Sequence, residues 1–229
     1  NGGNNFIAIS QNALDYAKRV IPKSDGLKHL NNAIDYEAFY SPVKVINTKK
    51  IIRLVNVGSF QKKKNQVFLV EVLKKLLERG VNCELTFLGK GTEMKRVEQR
   101  AEELGLKDQI IFKGNVTNVY SVLAESDIYV HSAYYEPFGL VLLEAMAAGL
   151  PVVCLNGGGN ADIIEDGTNG FMLEGATPTQ YAQRIEELVR NQELYNAIAT
   201  AGQHTAKQYG IKKYCDKLIA LYSEKLEKT

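Results

Sequence analysis

From Ile51 onward the chain alternates between short apolar runs and longer segments with helical periodicity. The runs are rich in Val, Ile and Phe, and most end in Gly or a polar turn: IIRLVNVG, CELTFLG, QIIFKG, DIYVHS, PVVCLN and GFML. Helical patterns fill most of the gaps, over 65–79, 93–104, 117–125 and 140–148. Strands that alternate with helices predict right-handed βαβ units. We therefore expect an α/β fold of three layers, α/β/α, around a mostly parallel sheet.

Helical periodicity returns after Leu173 and covers the end of the chain, over 178–190, 193–208 and 212–227. In the last segment apolar side chains recur on one helical face: Cys215, Leu218, Ile219 and Tyr222. The front of the chain predicts a short strand at 6–9, a helix at 11–20 capped by Ser10, and a turn at 22–26. A single strand and helix cannot make a core.

Composition and charge exclude several classes of protein. The chain has 28 Lys and Arg residues against 26 Asp and Glu residues, so the net charge of +2 gives no nucleic-acid footprint. No apolar run reaches the ~18 residues of a transmembrane helix, and the first residues lack a signal peptide's basic and apolar regions. We expect a cytoplasmic protein.

Cys83 and Cys154 fall in apolar runs far from each other and from Cys215, which predicts buried, reduced thiols and no cysteine metal site.

The stretch from Ser132 to Asp162 carries the strongest chemical signal. Pro137 disfavours a helical conformation for Glu136, and Gly139 lets the backbone approach a ligand. The amides at the start of the following helix, 138–140, are suited to an anion such as a diphosphate.

A second carboxylate, Glu144, follows Gly139 by roughly 7.5 Å along the helix. Two carboxylates that flank an anion site would repel the anion, so they are suited to hydroxyl groups on either side of it. A nucleotide sugar has this layout, with ribose, diphosphate and hexose in line. The alternative is that Glu136 and Glu144 are simply two of many solvated carboxylates.

The segment EPFGLVLLEAMAAGLPVV, with the Gly-rich turn and EDGTNGFML that follow, resembles the donor motif of retaining GT-B-fold glycosyltransferases with a Glu-x7-Glu signature, similar to glycosyltransferase family 4. The resemblance runs from about Ile51 to the C-terminus and implies the Rossmann-like C-terminal half of a GT-B fold. It implies that Glu144 holds the ribose hydroxyls and Glu136 those of the donor sugar. It assigns the diphosphate or sugar to the amides of Phe138, Gly139 and Leu140.

The loop that follows the first run, GSFQKKKN, contains three consecutive lysines. In the resembling family the Gly is followed by Arg, and a Lys comes six residues after the Gly; both cations neutralise the donor diphosphate. Lys64 matches that lysine, whereas Ser59 stands where the arginine is expected. Gly58, Ser59 and Lys64 are therefore donor-binding candidates, and Lys64 with Glu136 is a catalytic candidate. The alternative for the three lysines is a solvated loop.

Weaker signals come from the other turns. By resemblance, Gly89 in the Gly-x-Gly turn brings the backbone near the nucleotide. Lys113 in the third run and Val116 after it are candidates for contacts with the nucleotide base; the alternatives are an edge residue and a core residue. His131 is interpreted as a structural hydrogen bonder and not as a catalytic residue. The turn at 157–159 either approaches the donor or is a flexible connection. No role is assigned to Asp162.

Residues 29–40 resemble the segment that closes the first GT-B domain, although Asn32-Ala33 replaces Asn-Gly. The resemblance predicts three parts: 1–45, the remnant of an N-terminal acceptor domain plus a linker; 46–209, the donor-binding domain; and 210–229, a C-terminal crossing helix. We expect that helix to pack on 6–20. The alternative is a self-contained protein with an unusual start.

By resemblance, the chain is the donor-binding portion of an enzyme that transfers a hexose from a UDP- or GDP-sugar to a glycan, lipid or other acceptor with retention of configuration. No metal or other cofactor is expected. The expected partners are the nucleotide sugar and the missing acceptor-binding domain, and the full-length enzyme could associate with the inner face of a membrane. Two alternatives stay open: a GT-B-fold nucleotide-sugar epimerase and a non-catalytic nucleotide-sugar-binding module.

Overall fold

The computed structural model describes residues 6–21 and 26–226. Three short 3-10 turns join the main elements, at Lys62–Lys64, Lys107–Gln109 and Gly159–Asp162. The helices and strands in chain order are β1 (Phe6–Ala8), α1 (Gln11–Val20), β2 (Leu27–His29), α2 (Tyr36–Phe39), β3 (Ile52–Val57), α3 (Gln66–Glu78), β4 (Cys83–Leu88), α4 (Met94–Glu103), β5 (Ile110–Gly114), α5 (Val119–Glu125), β6 (Ile128–His131), α6 (Leu140–Ala147), β7 (Val152–Leu155), β8 (Phe171–Leu173), α7 (Pro178–Arg190), α8 (Gln192–Gln208) and α9 (Ile211–Leu226).

Six strands form one sheet in the order β5-β4-β3-β6-β7-β8, and every pairing in it is parallel. Each of the six apolar runs supplies one strand, which confirms the predicted α/β class. The order reverses direction between β3 and β6, after the chain has built the β3-β4-β5 half. In open parallel sheets this switch point is where ligands bind, beyond the carboxyl ends of the strands.

Successive residues of the central strands point into two separate cores. Leu54, Val130 and Val153 belong to one hydrophobic cluster, whereas their neighbours Val55 and Tyr129 belong to the other. Side chains alternate between faces along a strand, so each face needs its own cover. The first core contains residues of α3, α4 and α7, and the second contains residues of α5 and α6. Helices on both faces complete the predicted three layers.

Local capping signals set the helix boundaries. Ser10 Oγ accepts a hydrogen bond from the amide of Ala13 at 3.1 Å, which confirms the predicted start of α1. Thr177 and Gln180 form a reciprocal capping box at the start of α7, with Pro178 in the first turn. Both helices have the predicted bounds because these side chains satisfy backbone groups that the helix leaves open.

The front of the chain has a strand that the sequence did not predict. β2 pairs in parallel with β1, and the two form a small sheet separate from the main one. Leu27 is the one apolar residue in β2, so periodicity gives no signal, and the pairing with β1 defines the strand. Most of the predicted turn, 22–25, lies outside the described residues.

Much of the apolar face of the last helix is exposed. On that face of α9, Ile219 and Tyr222 are each 63% exposed, and the helix contacts β2 through an ion pair between Lys28 and Glu224 at 3.4 Å. The expected packing of α9 on residues 6–20 stays a prediction. Cys215 on this helix is exposed, whereas Cys83 and Cys154 are buried free thiols, as predicted. In the described part of the chain, no helix combines the length and apolarity that crossing a bilayer requires.

Candidate functional site

The loops that follow β3 and β6 meet at the carboxyl end of the sheet. Ser132 Oγ donates a hydrogen bond to the carbonyl oxygen of Lys64 at 2.8 Å. The amide of Tyr134 donates to the carbonyl oxygen of Lys63 at 3.1 Å. These two hydrogen bonds join segments about seventy residues apart in sequence, and they fix the lysine loop against the loop that carries Glu136.

Lys64 and Glu136 form a largely buried ion pair. Lys64 Nζ lies 2.6 Å from Glu136 Oε2, and the two side chains are 16% and 9% exposed. The lysine loop makes a 3-10 turn that ends at Asn65, whose φ of 53° is left-handed. The turn sends the lysines in different directions, since Lys63 Nζ lies over the ring of Tyr135 at 5.5 Å. The two residues predicted to be catalytic are therefore in direct contact.

His131 lies beside the same carboxylate. Its Nε2 lies 3.2 Å from Glu136 Oε2, and its side chain is 2% exposed. The ring stacks near that of Tyr129, with centroids 6.2 Å apart. Its backbone is held by Tyr181, whose Oη accepts from the His131 amide at 3.0 Å. The imidazole is therefore part of the Glu136 environment.

Burial and charge act in opposite directions on these titratable groups. Burial raises the pKa of Glu136, but contacts with His131 and Lys64 outweigh it and hold that pKa at about 2. Burial lowers the pKa of His131, and the nearby Glu136 only partly counters this effect. At neutral pH the site therefore contains an ionised Glu136 beside a neutral imidazole.

The His131–Glu136 contact is the main feature that the sequence interpretation missed. Sequence reasoning expected a structural hydrogen bond, but among the described residues neither ring nitrogen has an aligned hydrogen-bond partner. The signal was available: His131 is the last residue of β6, and the carboxyl end of β6 lies next to that of β3, from which the lysine loop starts. Residues at that edge of a parallel sheet converge.

The turn at 157–159 supports the backbone around Glu136. The Glu136 amide donates to the carbonyl oxygen of Gly157 at 2.7 Å, and the Gly159 amide donates to the carbonyl oxygen of Glu136 at 2.8 Å. A Cβ added at Gly159 would lie 2.0 Å from the carbonyl oxygen of Pro137. The turn is thus a close backbone support for the Glu136 loop, and its expected approach to the donor stays a prediction.

Asp162, which the sequence interpretation left without a role, links this turn to the front of the chain. Its Oδ2 accepts a hydrogen bond from the amide of Gln11 at 2.5 Å, at the start of α1. Its carbonyl oxygen accepts from Tyr209 Oη at 2.8 Å. The side chain therefore satisfies an open amide at the helix N-terminus.

The start of α6 has the geometry of an anion site. Gly139 has a φ of 104°, which a residue with a Cβ rarely adopts. The ring of Phe138 is buried and packs edge-on against Tyr209 at 5.8 Å. Within the described residues, the amides of Phe138, Gly139 and Leu140 have no hydrogen-bond acceptor. A fixed helix end with free amides and a partial positive charge is suited to a phosphate.

Glu144 lies in the second turn of α6, on the same element as this anion site. Its side chain is half-buried, and in the described part of the chain it makes no hydrogen bond or ion pair. Burial raises the pKa of Glu144. A half-buried carboxylate with no partner is a free acceptor for the hydroxyl groups of a ligand.

The glycines predicted to lie near the donor differ in how much space their surroundings leave for a side chain. A Cβ at Gly89 would lie 2.1 Å from the carbonyl oxygen of Gly58, and Gly89 has a φ of 129°. Contact between the ends of β3 and β4 is therefore enough to require glycine there. A Cβ added at Gly58, by contrast, would meet no atom within 4 Å. The carbonyl oxygen of the exposed Ser59 accepts from Gln66 Nε2 at 3.1 Å.

The two predicted base contacts lie farther along the sheet. Lys113 is exposed on β5, which is an edge strand, and Val116 is half-buried against the same core as Phe138. Within 6–21 and 26–226, no hydrogen bond or ion pair joins either side chain to Lys64 or Glu136. Among all the residues that the structure describes, no group of three or more His, Cys, Asp or Glu side chains could hold a metal ion.

Most of this chain superposes on solved structures of known proteins. The solved structure of Anabaena Alr3699/HepE in complex with UDP and glucose superposes with a TM-score of 0.86 and 22% sequence identity. The superposition covers 96% of this chain and 62% of that one. At this level of identity the likeness shows a shared fold, and it places this chain among GT-B structures.

Curated relatives are similar at the level of sequence. The putative glycosyltransferase EpsD of Bacillus subtilis is 29% identical over 170 residues, which is 74% of this chain and 45% of that protein. The N-acetyl-alpha-D-glucosaminyl L-malate synthase of Bacillus anthracis is 26% identical over 228 residues, which is 96% of this chain and 59% of that protein. The chain thus spans about half the length of these curated relatives.

A family profile described as glycosyl transferases group 1 matches residues 38–205. The match covers most of the chain and contains both loops of the site, the lysine turn and the whole of α6. The chain belongs to the group 1 glycosyl transferase family.

Proposed function

We propose that this chain is the nucleotide-sugar-binding portion of a retaining glycosyltransferase. The whole enzyme transfers a hexose from a UDP- or GDP-sugar to a glycan, lipid or other acceptor. The observation that carries the proposal is the arrangement at the start of α6. Three free amides lie between Glu136, which is paired with Lys64, and Glu144, which has no partner in the described part of the chain.

The anion site is the centre of the proposed donor complex. The diphosphate lies over the amides of Gly139 and Leu140, and Lys64 Nζ supplies countercharge from the facing loop. Fixed dipoles and a cation that face a leaving diphosphate stabilise the charge that develops on it as the sugar bond breaks. The proposed catalytic contribution of Lys64 is therefore electrostatic, and the mechanism assigns no step to a metal ion.

The two carboxylates hold the sugars on either side of the diphosphate. Glu144 accepts hydrogen bonds from the ribose hydroxyls, and Glu136 accepts hydrogen bonds from the hydroxyls of the hexose. The pKa of Glu136, held at about 2, keeps this group an acceptor at any physiological pH. The Anabaena structure was solved with UDP and glucose, which supports UDP as the first nucleotide to test.

Calorimetric titration of this chain with UDP and GDP tests the proposal. We expect one of them to bind, and we expect Glu144→Ala to weaken that binding by about 10–100-fold, since hydrogen bonds to a charged group contribute roughly 1.5–3 kcal/mol. Glu98→Ala is the matched control because Glu98 is an exposed carboxylate on α4. The proposal is wrong if neither nucleotide binds at millimolar concentration, or if Glu144→Ala binds as well as the control.

The reaction itself needs the full-length protein. With donor and acceptor present, we expect a glycoside of the same anomeric configuration as the donor. Recovery of an epimerised sugar from donor alone would support the epimerase alternative. Tight donor binding without turnover under any condition would support a non-catalytic module.

A further inference from the structure

His131 is a fully buried polar side chain that the proposed function does not use. Both of its ring nitrogens are buried and lack an aligned hydrogen-bond partner among the described residues. Buried polar groups without partners are rare and disfavour folding. Leu or Val would fill the end of a buried strand without that penalty. The histidine therefore requires an explanation in a second state of the site.

The geometry around Glu136 shows which state this is. Lys64 Nζ and His131 Nε2 approach the same carboxylate oxygen, Oε2, at 2.6 Å and 3.2 Å. Lys64 makes the short hydrogen bond, whereas the imidazole is close to the oxygen but not aligned with it. Two donors thus compete for one acceptor, and the lysine occupies it when no ligand is bound.

A diphosphate at the start of α6 would change this competition. It carries more negative charge than one carboxylate, and Lys64 has a flexible stem, so the ammonium group can turn toward the phosphates. Glu136 would then be left buried without a cation, which is strongly unfavourable for a carboxylate unless another donor replaces the first. His131 is already within 3.2 Å.

We propose that His131 is a positioning residue that replaces Lys64 as the hydrogen-bond donor to Glu136 when the diphosphate of the donor attracts the lysine; this inference rests on the proposed function. The imidazole carries its proton on Nε2, and this N–H donates a hydrogen bond to Glu136 Oε2. It keeps Glu136 in place for the sugar hydroxyls and removes the penalty of separating the lysine from its carboxylate.

The groups that surround the ring suit a neutral donor. Glu136 and Lys64 face it from the two loops, the ring of Tyr129 stacks near it, and Tyr181 Oη is bonded to its backbone. Burial lowers the pKa of His131, so the ring keeps a single proton at neutral pH. One hydrogen is sufficient for a donor whose acceptor is already ionised.

Nitrogen-15 NMR of the histidine rings tests this role directly. The chain has three histidines, and His131→Gln identifies the resonances of His131. During titration with UDP and GDP we expect the Nε2-protonated tautomer, and we expect its Nε2 proton to move downfield as the nucleotide saturates. Unchanged His131 resonances at saturation, or a proton on Nδ1 in the complex, would overturn the role while the proposed function stands. Absence of binding by both nucleotides overturns the proposed function and this role together.

Affinities of matched variants separate positioning from a merely structural effect. We expect His131→Leu to weaken nucleotide binding by about tenfold or more, and His131→Gln, which retains an N–H donor, to restore most of it. In a Glu136→Gln background, where no carboxylate needs a partner, His131→Leu should have almost no further effect. Equal losses in both backgrounds would contradict the proposal. If His131→Leu does not fold, the Gln variant and the NMR titration still decide the question.

Discussion

At the scale of single residues, the site depends on how one buried carboxylate is kept ionised. Glu136 is almost inaccessible to water, and burial alone would favour its neutral form. Lys64 and His131 both approach its Oε2, and together they reverse that preference. An acceptor that stays charged in a buried position can hold sugar hydroxyls with short, directional hydrogen bonds.

A titration of the Glu136 carboxyl group by NMR should therefore give a midpoint of about 2. Lys64→Met removes the cation, so we expect the midpoint to rise. Lys63→Met is the matched control because Lys63 Nζ lies over the ring of Tyr135 and not at the carboxylate. The account of the site is contradicted if both substitutions move the midpoint equally, or if neither does.

The same ion pair makes stability depend on pH. The pKa of Glu136 in the folded state lies below the ordinary value of 4.5, so the stabilisation is fully present above pH 4.5 and is lost as the pH falls toward 2. In urea unfolding we expect Lys64→Met to lower the free energy of unfolding by about 1.5–3 kcal/mol near neutral pH. The difference from wild type should shrink in acid, whereas a constant difference would argue against this origin.

Sequence reasoning identified Lys64, Glu136 and Glu144 because each sits in a motif with recognisable spacing. It missed the part of His131 because the position of this residue at the end of β6 indicates only that it lies near the lysine loop, whereas the contact with Glu136 also depends on the orientation of the ring. The roles of Lys113 and Val116 stay predictions: Lys113 lies on the edge strand β5 and Val116 follows it, and ligand contact there depends on loop atoms.

At the scale of elements, the turn at 157–159 determines where Glu136 lies. It bonds to the Glu136 backbone on both sides, and its glycines allow the two chain segments to approach closely. Proximity of this kind cannot be deduced from the sequence, because glycine-rich turns are equally common in flexible connections.

Gly159→Ala tests this support. The added Cβ would lie 2.0 Å from the carbonyl oxygen of Pro137, so the Glu136 loop must move. We expect the free energy of unfolding to fall by about 1–3 kcal/mol, as for other overpacked sites, and nucleotide affinity to fall with it. Gly58→Ala is the stability control because its Cβ meets open space. Equal stability of the two variants in urea unfolding would contradict the assigned role of the turn.

At the scale of the whole molecule, two regions differ in how much core they contain. The six-stranded sheet is covered on both faces, and its central strands are almost completely buried. The front segment, β1 to β2, has a separate two-stranded sheet with few buried residues, such as Ala8 and Leu14. Its attachment includes the Gln11–Asp162 hydrogen bond.

Hydrogen exchange followed by mass spectrometry should reveal this difference. Local opening requires less free energy where fewer apolar groups are buried, so we expect amides in β1, α1 and β2 to exchange at least about tenfold faster than those in β3, β6 and β7. Equal protection of the two regions would mean that the front segment belongs to one cooperative unit with the main sheet.

The main sheet could be predicted from the sequence because its strands are continuous apolar runs and its helices carry capping signals. The front segment could not be predicted to the same extent. β2 has a single apolar residue, so its sequence carries no strand periodicity. α9 has an apolar face but leaves Ile219 and Tyr222 exposed on it, so the spacing of apolar residues along a helix does not show what its apolar face packs against. The division of the chain at 45 and 209 stays a prediction.

The most direct test of the central claim is a crystal structure of this chain with UDP. We predict the diphosphate over the amides of Gly139 and Leu140, with Lys64 Nζ turned toward it and the ribose hydroxyls on Glu144. Nucleotide density at any other place on the molecule, with the Lys64–Glu136 pair still closed, would contradict the account.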